Sequence, residues 1–519
     1  MRSLPLGCLP SVGSHTRMVG GERRFGLPGS SDRFMIRRQV VTGTDRTVEH
    51  WVNRRLTREQ WIVVAIFLAA LALRLAVFAY ISHEPRKYFT YDSSGYDRRA
   101  TNLLDHGVFA GEKAAPFTPD LGRTPGYPVI MAVVYAVIGH QPAGVVLLQI
   151  LAGALTAVLT YVLVRELQLS RHVGGIAAAI VALDPVSVMT SNRLLTETIF
   201  TTLIVAAMWM LARYWQTERL RWIAISAVIL AGAALTRPIS QFLPLAVAPL
   251  IVLAARTSRR HAQIATALFL VLSLTLTYSW AYRNYRETGV ATLSSISDTN
   301  LIYYRARAVL AASEGKSQDR AWAELEERID RRAAAEGLSP AETIALERRE
   351  AIRILAEHPL LTIEMLLKGV ARIFADPGYT ISCTLLDRNS TEYQCFPGRS
   401  TMNEPGVVDR ALGKVGQMSL VQQGALLGSI LLLGVLYTTA ILGVLQLARD
   451  HQWRVLGLLM IVIAYFTLLS AGAEANGRFR IPMIPFLAVL AGVGIEWVLA
   501  VVRSRRIAKR QTMVVQGGN

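Results

Sequence analysis

Long apolar runs alternate with short polar segments along most of the chain, and runs of this length predict helices that cross a bilayer. We predict ten spans, at 61–81, 143–164, 174–191, 195–212, 222–236, 239–255, 263–281, 421–447, 455–472 and 481–502. An eleventh apolar run, 125–139, is shorter and begins with Pro125, Gly126 and Pro128. The pattern therefore indicates an all-α polytopic membrane protein with about ten transmembrane helices.

The arginines orient these spans, because cytoplasmic loops of membrane proteins are enriched in Lys and Arg. If the N terminus is cytoplasmic and 125–139 does not cross, the short outer loops hold Arg193, Arg237, Arg478 and Arg480. The short inner loops then hold the arginines at positions 165, 171, 213, 219, 221, 256, 259, 260, 449 and 454. We therefore predict a multi-pass protein of the inner (plasma) membrane with both termini cytoplasmic. The run 125–139 becomes a helix at the outer interface.

This topology divides the chain into five parts. They are a largely disordered, basic cytoplasmic arm (1–60), an N-terminal transmembrane module (61–281) with a catalytic outer loop (82–142), an extracytoplasmic helical segment (282–420), C-terminal transmembrane helices (421–502) and a basic cytoplasmic tail (503–519).

The extracytoplasmic segment has helical composition at 321–335 and 342–355, and a capping box from Ser339 to Glu342 starts the second of these helices. An amphipathic run at 360–374 suits a membrane surface. The stretch from 376 to about 406 is predicted to be loop.

Composition supports the membrane assignment. The chain has 519 residues, is 52% hydrophobic and carries a net charge of +18, with a mean hydropathy of +0.35. Its arginines are spread between apolar runs without an aromatic-basic module, so we expect the lipid bilayer and no nucleic acid as a partner. Only three cysteines are present; Cys383 and Cys395 could form a disulfide if their loop is extracytoplasmic.

Acidic residues open the first outer loop. Asp92 directly follows the first span, and ionisable side chains at a bilayer edge are seldom there for packing, so we favour a catalytic role. The structural alternative is an Asx-turn. For Asp97, which precedes two arginines, a surface ion pair is favoured.

Other candidates lie at the outer ends of later spans. Arg123 and Tyr127 belong to Arg-Thr-Pro-Gly-Tyr-Pro, which is either a helix start or a binding element. Glu197 needs a partner, for which Arg193 is the nearest candidate. Arg478 and Arg480 lie between the last two spans, on the predicted outer side, where the positive-inside rule expects few arginines. Their position favours an anion such as phosphate as their ligand. The candidate substrate-binding residues are Arg123, Tyr127, Glu197, Arg237, Arg283, Asn284, Arg478 and Arg480.

Acids and cations on one face suit the transfer of a glycosyl group from a lipid-linked phosphate. The phosphate is already a good leaving group, whereas the acceptor hydroxyl needs a base, which Asp92 could supply. Negative charge on the departing phosphate needs Arg, Lys or a metal ion. A divalent metal ion, Mg or Mn, is a candidate cofactor with Asp92 as its ligand.

In their order along the chain, these motifs resemble the GT-C superfamily of integral membrane glycosyltransferases. The relevant motifs are the Asp-bearing first loop, Arg-Thr-Pro-Gly-Tyr-Pro, Leu-Thr-Glu at 195–197, Leu-Thr-Arg-Pro at 235–238, Trp-x-x-Arg-Asn-Tyr at 280–285 and Arg-Phe-Arg-Ile-Pro near the end. The chain is most similar to the branch with protein O-mannosyltransferases, lipid A aminoarabinose transferase and bacterial lipopolysaccharide-core glycosyltransferases, over roughly residues 60–500.

The resemblance implies a polyprenyl-phosphate-linked sugar donor and an inverting transfer on the extracytoplasmic face. It also implies that Asp92 is the catalytic base or a metal-linked group, and that Arg478 and Arg480 lie near the donor phosphate. The acceptor would be a lipid, a glycan or a protein. Protein O-mannosyltransferases have an Asp-Glu pair where this chain has Asp92 and Ser93, which argues against mannosyl transfer and against a carboxylate-pair metal site.

Two other classes of function remain as alternatives. A polytopic transporter would carry polar residues near the bilayer midplane and an internal repeat. In this chain the polar residues gather at outer span ends, except for Arg74 and Asp184, and no repeat is visible. The other alternative is a non-catalytic envelope-assembly factor, which would tolerate the loss of the Asp92 carboxylate.

Overall fold

The computed structural model describes residues 57–253, 258–386, 416 and 418–516, with side chains up to 507. In these ranges all regular structure is helical, which confirms the predicted all-α class. The helices are α1 Arg58–Ile81, α2 Tyr91–His106, α3 Gly126–Ile138, α4 Pro142–Glu166, α5 Arg171–Leu183, α6 Pro185–Thr190, α7 Glu197–Thr217, α8 Leu220–Thr236, α9 Leu243–Leu253, α10 Arg259–Thr288, α11 Ile296–Asn300, α12 Arg307–Ser313, α13 Gln318–Glu336, α14 Pro340–Glu357, α15 Pro359–Ala375, α16 Tyr379–Leu386, α17 Leu420–Arg449, α18 Trp453–Ser470 and α19 Ile484–Gln516. Short 3-10 turns occur at Pro85–Tyr88, Pro238–Ser240 and Gly477–Met483, and a π-helix at Leu301–Ala306. The predicted arm 1–60 falls almost wholly outside the described residues.

Seven described helices are long and apolar enough to cross a membrane. They are Arg58–Ile81, Pro142–Glu166, Glu197–Thr217, Arg259–Thr288, Leu420–Arg449, Trp453–Ser470 and Gly477–Ile507. Three other predicted spans form shorter apolar helices, α5, α8 and the stretch Pro238–Leu253. The count of ten therefore stays a prediction, and so does the interfacial position of α3.

The predicted span 174–191 is interrupted where Asp184 ends α5. The Asp184 carboxylate accepts hydrogen bonds from the Ser187 amide (2.8 Å) and hydroxyl (2.6 Å), and Pro185 occupies the first position of α6. Pro is favoured there because the first helical N–H has no partner within the helix. The sequence therefore stops one helix and starts the next inside a single apolar run.

Arg74 supports this interruption from α1. It is buried and donates to the carbonyls of Ala182 (3.1 Å) and Val181 (3.5 Å), and also to Ala70 in its own helix (3.1 Å). The last carbonyls of a helix have no partner within it. This arginine, which the sequence presents as an isolated charge within a span, therefore caps the C terminus of α5.

The C-terminal module rests on a close helix pair. α17 lies along α19, and a Cβ atom on either Gly443 or Gly494 would overlap the backbone of the other helix. Glycine is required here because the two backbones touch. The main core cluster continues from this pair into α4, α5, α7 and α8.

The segment between α10 and α17 contains the predicted helices. α13 and α14 match the composition, and the capping box between Ser339 and Glu342 is formed, with Pro340 as the first helical residue. The amphipathic run forms α15.

One prediction in this segment is wrong: part of the expected loop, Tyr379–Leu386, is helical. The Asp376 carboxylate accepts from the Gly378 amide (2.8 Å) and the Tyr379 amide (3.3 Å), so a local side-chain bond starts α16. Cys383 lies on α16 and is disulfide-bonded. Cys395 is outside the described residues, so their pairing stays a prediction.

Candidate active site

Two carboxylates and three guanidinium groups form one ion-pair cluster. Asp92 lies 3.0 Å from Arg123 (Oδ1 to Nη2) and 3.4 Å from Arg478 (Oδ2 to Nη2). The Glu197 Oε1 atom lies 2.9 Å from Arg478 Nε and 2.6 Å from Arg237 Nη1. Three positive and two negative charges leave a net charge of +1. We call these five residues the charge cluster.

Asp92 is placed by the start of α2. The Thr90 and Ser93 side chains form a capping box, which leaves Asp92 in the first turn, where the helix dipole favours a carboxylate. Its side chain is 30% exposed, so it is accessible to a substrate. Ser93 is buried and donates to the carbonyl of Leu194 (2.8 Å), which ties α2 to the loop before Glu197. The residue after Asp92 is therefore a structural hydroxyl in this chain.

The segments that carry Arg123 and Arg237 pack against each other through their backbones. Thr124 donates to the carbonyl of Thr236 (3.2 Å). A Cβ atom on Gly126 would lie 2.7 Å from the Leu235 carbonyl oxygen. The Arg-Thr-Pro-Gly motif therefore packs against the end of α8, which explains its small residue next to a stiff proline.

Glu197 is buried at the first position of α7, and its predicted partner is wrong. Arg193 instead donates to the Thr384 hydroxyl and to the Phe89 carbonyl (3.0 Å), so it fastens its loop to α16. The actual partners of Glu197, Arg237 and Arg478, are distant in sequence, which is why helical spacing could not identify them.

The two arginines between the last spans have different surroundings. Arg478 joins the charge cluster through Asp92 and Glu197, and its binding of a phosphate stays a prediction. Arg480 is buried, and its Nη1 donates to the backbone carbonyls of Ile373 (2.5 Å) and Asp376 (3.1 Å). Arg480 therefore binds the end of α15, and its place near the donor phosphate stays a prediction. In a 3-10 turn these two positions point to different sides.

Three further candidates lie outside the charge cluster. Arg283 stacks on Trp280, with 4.9 Å from its guanidinium carbon to the ring centroid, and donates to Asn284 (3.1 Å). Asn284 donates to the carbonyl of Thr292 (2.8 Å). Tyr127 is fully buried and bonded to Gln149. The described contacts of these side chains are with other parts of the protein, and their substrate-binding role stays a prediction.

Tyr96 is a site residue that the sequence reasoning missed. The Arg123 guanidinium lies 5.6 Å from the centroid of its ring, which also meets Tyr127 edge to face at 5.2 Å. Burial raises the pKa of Tyr96, while the Arg123 guanidinium opposes that rise. The phenol therefore stays protonated at neutral pH. Its position one helical turn after Asp92 was the available signal.

A small cavity of about 10 Å³, room for roughly one water molecule, lies beside the charge cluster. One wall is polar and the other is aromatic. The lining includes Glu197, Arg237, Arg478, Phe200, Phe466 and Phe479. The chemistry of the two walls suits an anionic group next to an apolar one, because the arginines attract negative charge and the rings offer apolar surface.

The surroundings of Asp92 do not fit the candidate metal ion. Both of its carboxylate oxygens face guanidinium groups. The described residues contain no group of three or more His, Cys, Asp or Glu side chains that could hold a metal. The charge cluster has a positive excess, which favours an anion.

The site and the helices together define a polytopic membrane protein with a cationic site at converging helix ends. Residues 122–282 match the family described as dolichyl-phosphate-mannose-protein mannosyltransferase. That range contains Arg123, Glu197 and Arg237 of the charge cluster. The match confirms the predicted resemblance to the GT-C superfamily of membrane glycosyltransferases. No match was found among curated protein sequences.

Among solved structures, the chain is similar to the oligosaccharyltransferase AglB from Archaeoglobus fulgidus, described in complex with an inhibitory peptide and a dolichol-phosphate. The identity is 14%, the TM-score is 0.49, and the match covers 90% of this chain and 52% of that chain. This chain therefore spans about half the length of that structure.

Two further structures show lower TM-scores. The Pmt1-Pmt2 protein O-mannosyltransferase complex of S. cerevisiae, bound to the sugar donor, is 15% identical with a TM-score of 0.38, and the match covers 50% of this chain and 38% of that chain. ArnT from Cupriavidus metallidurans, bound to undecaprenyl phosphate, is 14% identical with a TM-score of 0.34, and the match covers 85% of this chain and 78% of that chain.

Proposed function

We propose that the chain transfers a sugar from a polyprenyl-phosphate donor to a lipid, glycan or protein acceptor of the cell envelope, with inversion at the anomeric carbon. The observation that carries the proposal is the charge cluster. It places one accessible carboxylate, Asp92, among three arginines beside a cavity with an aromatic wall. The match to a family named for dolichyl-phosphate-mannose supports a lipid-linked phosphate donor.

The charges suit a monophosphate donor. A sugar-linked lipid monophosphate carries one negative charge, which balances the net charge of +1 of the charge cluster. During transfer, the departing phosphate gains a second negative charge. If Asp92 takes the proton of the acceptor hydroxyl, the cluster rises to +2 and again balances it. Such matching stabilises the charge that develops in the transition state.

In the proposed reaction the acceptor oxygen attacks the anomeric carbon, and the bond from that carbon to the phosphate oxygen breaks. Asp92 accepts the acceptor's proton, and the phosphate leaves with the bonding electrons. Arg478 contacts both Asp92 and Glu197. It is therefore placed to bind the leaving group close to the base. The proposed reaction includes no metal-dependent step.

We place this reaction on the extracytoplasmic face of the inner membrane, the side on which the outer segments 82–142 and 282–420 are predicted to lie. The opposite ends of the helices carry basic side chains in interhelical pairs, Arg165 with Glu59 (2.9 Å) and Arg213 with Glu166 (3.1 Å). Those ends hold most of the short-loop arginines, so the positive-inside rule supports a cytoplasmic location for them.

An Asp92→Asn variant tests the proposal. In a deletion strain complemented with this variant, mass spectrometry of envelope glycolipids and glycoproteins should show loss of the product, because removing a general base costs about 10²- to 10⁴-fold in rate. Asp97→Asn is the matched control, since Asp97 bonds to Tyr135 (2.6 Å) and His140 (3.0 Å) rather than to the cluster. Wild-type product levels with Asp92→Asn at normal protein abundance would refute the proposal.

A further inference from the structure

The arginine loop, residues 471–480, follows α18 and includes the start of the 3-10 turn Gly477–Met483, which carries Arg478. Most of its described anchors come from the end of α15, outside the transmembrane module. Arg372 donates to the carbonyl of Ala473 (2.8 Å), and Arg480 donates back to the last carbonyls of α15. The position of Arg478 therefore depends on a helix of the extracytoplasmic segment.

Asp376, directly after α15, makes the contact nearest to Arg478. Its Oδ2 accepts a hydrogen bond from the amide of Gly477 (2.7 Å), the residue before Arg478. A Cβ atom on Gly477 would lie 2.6 Å from the Asp376 carbonyl oxygen, so the two backbones are in direct contact. Asn476 fixes the next amide, because its Oδ1 accepts from the Arg478 N–H (3.0 Å).

The other carboxylate oxygen of Asp376 starts α16, as described above. One side chain thus joins α15, α16 and the arginine loop, using both of its oxygens as acceptors. The charge cluster itself does not touch Asp376 in the described contacts, and the donor cavity is lined by other residues.

We propose that Asp376 is a positioning residue that sets the guanidinium of Arg478 between Asp92 and Glu197 for the donor phosphate. The inference rests on the proposed function and adds a residue that neither the motifs nor the family match contains. An arginine on a seven-residue turn can point in several directions, and fixing the preceding amide selects one. Binding a phosphate to a guanidinium that is already oriented avoids the entropic cost of ordering it.

Two substitutions separate the loop contact from the helix cap. Asp376→Asn keeps one acceptor oxygen, which can still cap α16, but presents an amide N–H₂ toward the Gly477 N–H. Asp376→Ser can cap α16, because Ser is a favoured helix cap, but its shorter side chain does not reach Gly477. Glu350→Gln is a matched control, since Glu350 is buried in the same segment and pairs with Arg328 (3.1 Å) and Arg353 (2.5 Å).

The experiment measures binding of farnesyl phosphate to the full chain in nanodiscs, with farnesol as the uncharged control ligand. Asp376→Asn and Asp376→Ser should each raise the Kd about tenfold, as expected for losing one charge-assisted hydrogen bond. Glu350→Gln should not. Because Asp376 acts through Arg478, the double variant Arg478→Ala/Asp376→Asn should bind no more weakly than Arg478→Ala alone. If Asp376 had only a structural role, its substitution would lower the melting temperature, and its effect on the Kd would add to that of Arg478→Ala.

The outcomes separate the two hypotheses. An unchanged Kd in both Asp376 variants, or weakening that adds to that of Arg478→Ala, would overturn the positioning role while the donor site stands. If the wild-type protein binds farnesyl phosphate no better than farnesol, or if Arg478→Ala has no effect, the proposed donor site fails, and the positioning role fails with it.

Discussion

Glu197 is the buried acid of the site, and its two arginine partners make it a sensitive position. Removing one partner of a buried ion pair leaves an uncompensated charge, which typically costs about 3–5 kcal/mol. We therefore expect Glu197→Gln to lower the melting temperature of the purified protein by several degrees. Glu84→Gln breaks the more exposed pair with Arg86 (3.0 Å) and should change it little, since surface pairs contribute about 0–1 kcal/mol. Equal melting temperatures for the two variants would contradict this ranking.

Tyr96 gives a prediction about pH. A pKa raised above the usual value of about 10 keeps the phenol neutral throughout the physiological range. Its deprotonation therefore adds no alkaline limb to the pH–rate profile below about pH 10. We expect Tyr96→Phe to lower the rate but to leave the shape of the profile between about pH 6 and pH 9 unchanged. An alkaline limb that disappears in Tyr96→Phe would show that this phenol titrates in the range.

Most members of the charge cluster could be selected as candidates from the sequence alone. Asp92, Arg123, Arg237 and Arg478 could be selected because charges at span ends need a reason, and that rule requires no knowledge of contacts. The same rule cannot separate Arg478 from Arg480, because only the turn geometry decides which side chain enters the cluster. Helical spacing likewise assigned Arg193 to Glu197, whereas its partners Arg237 and Arg478 come from other helices.

At the scale of elements, a local signal predicted the start of α14, because the capping box at Ser339 is encoded within four residues. The break at Asp184 and Pro185 is equally local, but the prediction treated 174–191 as one continuous span. The helix α16 was missed because its start depends on a side-chain bond from Asp376 within a stretch rich in turn formers. The span count was also affected, since α5 and α9 are shorter than the apolar runs suggested.

The broken helix pair α5 and α6 predicts a role for Arg74. Among the described hydrogen bonds, only Arg74 joins α1 to the last carbonyls of α5. Its loss leaves these buried acceptors unpaired, which costs about 1–3 kcal/mol of stability for each acceptor. We expect Arg74→Leu to lower the melting temperature more than Arg74→Lys, which retains one charged donor. Trp61→Leu, at an exposed position of the same helix, serves as a control. A Leu variant as stable as the wild-type protein would remove this role.

At the scale of the whole molecule, the charge cluster gathers residues from five helix ends and loops, separated by up to almost four hundred positions in sequence. Counting the loop arginines predicted that these five residues lie on one side of the membrane. Consecutive spans cross in opposite directions, so every second loop is on the same face. The cavity could not be derived in this way. Its aromatic wall comes from α7, α18 and the 3-10 turn, whose relative rotation depends on packing throughout the core.

The orientation in the membrane is the prediction on which the extracytoplasmic assignment depends. Ser94 is exposed near the charge cluster, and Thr217 is exposed at the opposite end of α7. With a membrane-impermeant maleimide, Ser94→Cys should be labelled in cells with an intact inner membrane, whereas Thr217→Cys should be labelled only after permeabilisation. The wild-type chain measures the background from its own cysteines. The positive-inside rule requires this asymmetry, because the Thr217 end carries the paired arginines. The reverse labelling pattern would place the charge cluster in the cytoplasm, where the proposed transfer to the outer envelope could not occur.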